Sequence, residues 1–115
     1  MTTDDSAWTL KGATLSDKTA QKEFGLTHEE IVEGIRAVKL QYRQNSLYGS
    51  PFLRLIRREV EAWVAEKYGL DYLKKKHWQN ELTQINKTLR QLKSQMLSLE
   101  ERKAELLKLL NDERR

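Results

Sequence analysis

From Tyr72 to Arg115 the chain contains neither glycine nor proline, the two residues that most readily end a helix. Through this stretch Trp78, Leu82, Ile85, Leu89, Leu92, Met96, Leu99, Leu106 and Leu110 recur at alternating intervals of four and three, broken only where Lys103 takes a turn. The pattern is a heptad repeat, with Leu82, Leu89, Met96, Lys103 and Leu110 at a and Trp78, Ile85, Leu92, Leu99 and Leu106 at d. It predicts one unbroken helix about 65 Å long. No turn within the segment folds the helix back on itself, and what remains of the chain is too short to cover such a seam. The stripe therefore requires another chain. A second copy is the simplest supply, and a single lysine at a is tolerated best in two strands, so the expectation is a homodimer.

Of 115 residues, 38% are apolar and 33% charged, which suits a small core with a long exposed helix better than one large globule. There is no cysteine, which excludes disulfides, thiolate chemistry and zinc–cysteine sites. His28 and His77 lie far apart without ligand spacing, so no metal or cofactor is expected. No nucleophile–base pair, glycine-rich phosphate loop or paired carboxylate in an apolar setting is present, and the chain reads as a non-enzyme. No apolar run reaches membrane-spanning length, so no membrane contact is expected. The expected compartment is the cytoplasm, at the nucleoid in a bacterium or within the nucleus in a eukaryote.

The predicted fold is mainly α with a small β-hairpin, in three parts. Residues 1–13 are polar and read as a flexible arm, with Trp8 as its docking group. Residues 14–70 form a small domain. Ser16 caps a short helix through Ala20 and Phe24, and Gly25 follows where positive φ is needed. Thr27 caps a second helix, Glu30 completes a capping box, and Ile31, Ile35 and Val38 share one face. Residues 40–43 alternate, residues 44–51 are dense in turn formers, and residues 52–57 alternate again with Leu53 and Leu55 on one face, which predicts a hairpin. Val60, Trp63, Val64 and Tyr68 make the stripe of a further helix that Gly69 ends. Residues 71–115 form the coiled-coil helix, capped by Asp71.

Charge is unevenly placed. The net charge is +4, yet residues 34–58 hold Arg36, Lys39, Arg43, Arg54, Arg57 and Arg58 with no acid at all. An edge ribbon kept soluble by charge alone would use both signs; excluding one sign points to a polyanion. Arg43, Arg54, Arg57 and Arg58 are the expected phosphate ligands. Tyr42, Gln44, Asn45 and Tyr48 are placed to reach a groove edge or sugar. The second helix opens on His28, Glu29 and Glu30, with Glu33 behind, which repels phosphate; Arg36 and Lys39, past the acidic turn, suit DNA better. Lys74, Lys75 and Lys76 open the long helix as further candidates.

Two short helices around a Gly-Leu-Thr turn, a hairpin, a helix and then a dimerising helix resemble the MerR and excisionase group of winged helix-turn-helix domains. "AQKEFGLTHEEI" looks like the entry to their helix-turn-helix, and "FLRLIRREVEAW" is similar to their wing exit. Over residues 14–66 the chain also resembles the C-terminal DNA-binding segment of the xeroderma pigmentosum group A protein and related domains. The matching residues are Lys18, Thr19, Ala20, Lys22, Phe24, Leu26 and Thr27. Both resemblances imply nucleic-acid binding and the first implies a winged helix-turn-helix; Lys18 and Lys22, within the matched segment, join the candidate DNA-binding residues. The functional expectation is a non-catalytic DNA-binding dimer, a transcription regulator or DNA-organising factor that takes duplex DNA at two half-sites. The alternative is an adaptor, whose coiled coil and winged domain recognise a protein partner.

Overall fold

The computed structural model describes residues 5–113, with side chains from Ala7 onward. In chain order it comprises α1 (Asp5–Thr9), β1 (Thr14–Ser16), α2 (Asp17–Phe24), α3 (His28–Arg36), β2 (Tyr42–Leu47), β3 (Ser50–Ile56), α4 (Arg57–Tyr68) and α5 (Leu70–Glu113). The fold is mainly helical, with a small antiparallel sheet in the order β1-β3-β2 and a long C-terminal helix. The chain divides into two compact units, one ending at Trp78 and one beginning at Gln79. Among the described residues no helix is long and apolar enough to cross a membrane.

Local chemistry sets the helix boundaries in the first unit. Ser16 Oγ accepts from the Thr19 amide at 3.1 Å and starts α2; Gly25, at φ 71°, ends it. At α3 the Thr27 hydroxyl accepts from Glu30 N at 3.1 Å while Thr27 N donates to Glu30 Oε1 at 2.9 Å, a complete capping box. Its other end departs from the sequence expectation. The helix stops at Arg36, and Val38 takes φ 59° with 89% of its surface exposed, instead of sharing the core face of Ile31. The reason is a Schellman closure: Val38 N donates to Ile35 O and Lys39 N to Gly34 O. The reversal delivers Leu40, not Val38, to the core. Gly34 makes that possible, because a Cβ there would lie 2.7 Å from Leu40 Cδ1 and 3.0 Å from Trp63 Nε1.

The sheet is larger than the predicted hairpin by one strand. Leu15 of β1 pairs with Leu55 of β3, and both are buried. Leu47 and Ser50 close the β2–β3 hairpin around Tyr48 and Gly49, both at positive φ, a two-residue turn of the type that matches strand twist. Phe24, Ile31, Leu55, Val60 and Val64 are fully buried in a core that also holds Leu15, Leu26, Leu40 and Trp63. Burial of each such side chain contributes about 1.5–3 kcal/mol.

Two further expectations are corrected. Tyr68 is not a core member of α4: it is 44% exposed, stacks on Tyr72 at 4.7 Å and donates to the Glu30 carboxylate. Asp71 is not the cap of α5, which already begins at Leu70; it lies in the first turn, where its charge suits the helix dipole. In that same turn Tyr72 Oη donates to Phe24 O at 2.8 Å, and Leu73 packs against the core. The second unit is helix alone, and α5 contains no buried residue along its whole length.

Candidate nucleic-acid interface

The sheet separates the sequence-predicted site residues onto two faces. Side chains alternate along a strand, so cross-strand partners share a side. Arg43 pairs with Arg54 and Asn45 with Phe52, whereas Tyr42 pairs with Leu55 and Gln44 with Leu53. Arg43, Asn45 and Arg54 therefore occupy one face, Tyr42 and Gln44 the other, and Tyr48 stands at the tip, 98% exposed. One ligand surface cannot use all of them through the same face.

The arginines have unequal freedom. Arg54 is held in the fold: Nη2 donates to Trp8 O at 2.7 Å and Nε to Thr14 Oγ1 at 3.1 Å. The stretch read as an arm thus lies against the outer sheet face over its described part, where Ala7 and Trp8 bury with Ile56. The Arg43 guanidinium lies 4.5 Å from the centroid of the same indole but is itself exposed. Arg57 starts α4 rather than extending the ribbon, and its Nη1 meets Glu23 Oε2 at 2.7 Å. That hydrogen bond to the carboxylate raises the guanidinium pKa above its ordinary value. Lys39 pairs with Glu66 at 3.6 Å. Arg58 is exposed on the first turn of α4 and also has a partner.

Arg54 and Arg57, expected as phosphate ligands, are thus each engaged by groups within the fold. The acid-free window is supplied with acids from outside it. Glu23 takes Arg57, and Glu66 takes Lys39. Glu59 accepts from both the amide and the side chain of Gln41, at 2.8 and 2.7 Å. Asp17 accepts from Leu53 N at 3.2 Å. Sequence reasoning missed these partners because each lies at least 18 positions from the group it satisfies.

The remaining cations lie elsewhere. Lys18 and Lys22, one helical turn apart on α2, are exposed and make no ion pair among the described residues. Lys18 lines a cleft of about 370 Å³ with Ser16, Leu47, Tyr48, Pro51 and Phe52, beneath the hairpin tip. Every residue of β2 is exposed. Arg36 is exposed at the end of α3, bordering a hollow with His28, Glu29, Val32 and Glu33.

The acids of α3 also have uses within the fold. Glu30 and Glu33 flank Lys67, with Glu33 Oε2 at 2.8 Å and Glu30 Oε2 at 4.0 Å. The hydrogen bond to Glu33 raises the Lys67 pKa. The Tyr68 hydroxyl holds the Glu30 carboxyl below its ordinary value, and reciprocally the Tyr68 phenol is pushed up to about 12. Of the three acids of α3, only Glu29 has no partner among the described residues. The described residues contain no group of three or more His, Asp or Glu placed to hold a metal ion.

Compared with known proteins, the chain matches no family model, no curated protein and no solved structure.

Proposed function

We propose that this chain is a non-catalytic DNA-binding protein, a winged helix-turn-helix unit paired through its C-terminal helix. The supporting observation is the cleft under the hairpin tip, where exposed Lys18 stands beside the fully exposed Tyr48, with Lys22 one turn along α2. Cations left unpaired beside an exposed aromatic ribbon suit a sugar–phosphate backbone: lysines neutralise phosphates and release counterions, and the ring meets sugar or base. In this reading DNA runs along α2 and the hairpin, with Arg43 contributing from the outer sheet face. The acidic first turn of α3 stays out of the groove, and Arg36 reaches the backbone from its far end. Arg54 and Arg57 build the platform and do not contact the ligand.

A gel shift on mixed-sequence duplex tests this. Lys18→Glu with Lys22→Glu abolishes the shift at low salt while leaving the fold intact; an unchanged shift removes α2 from the interface. A second reading, a protein adaptor, is favoured by the unpaired Glu29, which borders the hollow along α3. Absence of duplex binding at any salt selects it.

A further inference from the structure

The α5 seam stands uncovered in the single chain: Trp78, Leu82, Ile85, Leu89 and the apolar seam residues that follow are 43% to 71% exposed. Its charge is split along its length. Residues 72–93 carry six Lys/Arg and one acid, Glu81, whereas residues 94–113 carry three Lys/Arg and five acids. Only at the C-terminal end do apolar residues also flank the seam, where Leu107 and Leu109, 52% and 55% exposed, widen it beside Leu106 and Leu110.

We propose that a second copy of this chain covers the seam in antiparallel orientation. This rests on the dimer reading above and fixes its direction. Pairing in parallel sets the basic half against the basic half and the acidic against the acidic. It also puts Lys103 against Lys103 of the second copy in one core layer. The flanking positions then offer no relief: Glu81 meets Asn86, Thr88 meets Lys93, Gln95 meets Glu100 and Arg102 meets Leu107, with no opposite charges among them.

Reversal changes the core layers and the charge match along the whole helix; the flanks favour neither direction, with Asn86 facing Glu100 and Lys93 facing Lys93 of the second copy. The basic half of each helix lies along the acidic half of the other, an arrangement favoured by charge complementarity and weakened by salt. Core layers pair a with d, with Leu82 opposite Leu106, Leu89 opposite Leu99 and Lys103 opposite Ile85, so every seam position is used. The two Lys103 side chains separate by about 27 Å along the axis. The widened leucine patch comes to lie around Trp78 of the second copy, the bulkiest seam residue against the broadest surface. Each chain then enters the paired segment from the opposite end.

The absence of native cysteine makes the test direct. Spin labels are placed singly on the full chain at Asn111→Cys and at Ser94→Cys, both exposed positions off the seam. In the antiparallel pair residue 94 lies opposite itself, so the Ser94 labels sit within about 25 Å, while the Asn111 labels separate by about 50 Å along the axis. A short distance at both positions overturns the antiparallel arrangement and leaves the dimer standing. No dipolar coupling at either position, with a monomer in sedimentation, overturns the dimer reading and this inference together.

Discussion

The unit ending at Trp78 and the helix beyond it handle apolar surface in opposite ways. In the first, Phe24, Ile31, Leu55, Ile56, Val60 and Val64 are fully buried, and no buried side-chain polar atom among the described residues lacks a hydrogen-bond partner. In the second, eight apolar seam residues, from Leu82 to Leu110, stay open to solvent. The first unit is stabilised within one chain, so its stability is independent of concentration. A lone helix gains little from its own backbone hydrogen bonds, so the order of the second depends on what covers it.

Substitution at matched apolar positions breaks or sharpens that contrast. Phe24→Ala lowers unfolding stability by about 3–5 kcal/mol at any protein concentration, measured by denaturant titration. Leu92→Ala leaves the near-ultraviolet dichroism of the first unit unchanged and instead moves the concentration at which the helical signal falls on dilution. A concentration-dependent loss for Phe24→Ala contradicts the division. Gly34→Ala is next in size, about 1–3 kcal/mol, because the added methyl meets Leu40 and Trp63 at sub-contact distance. Val38→Gly runs the other way and raises stability by about 1 kcal/mol, since a β-branched residue at φ 59° is strained and glycine is not. The smallest effects are electrostatic. Glu30 has a folded pKa below its ordinary 4.5, so its contribution is present above that value and is lost as pH falls through the lowered one. Tyr68→Phe removes the cause, and the acid limb of its stability curve becomes shallower. The change is absent if the hydrogen bond is not formed in solution.

The same contrast governs what the sequence made legible. Signals confined to a few neighbouring residues read through directly: the Ser16 and Thr27 caps, the positive φ of Gly25 and the period of α5; the turn expected over 44–51 shrinks to Tyr48–Gly49, because residues 44–47 pair with 50–53. Features set by distant partners did not. Three residues, Thr14–Ser16, carry too little pattern to announce a strand, and β1 is defined by its pairing with β3. Val38 continues a helical period that the Schellman closure cuts short. At the candidate site, the cations were visible and their availability was not. Arg57 and Lys18 look equally free in sequence; Glu23 occupies the first, and no described residue pairs with the second. Lys18 and Lys22 are among the seven residues that carry the resemblance to a DNA-binding segment, whereas the acid-free window points to the arginines.

In the proposed function the exposed lysines of α2 meet the phosphates, whereas Arg54 and Arg57 do not. Anisotropy of a labelled duplex, followed from about 50 to 200 mM salt, reads this directly. Wild-type protein binds, and Lys18→Ala and Lys22→Ala each lower the slope of log affinity against log salt by about one, whereas Arg57→Ala leaves the slope unchanged and affects thermal stability instead. A slope that falls for Arg57→Ala and is indifferent to both lysines contradicts the account.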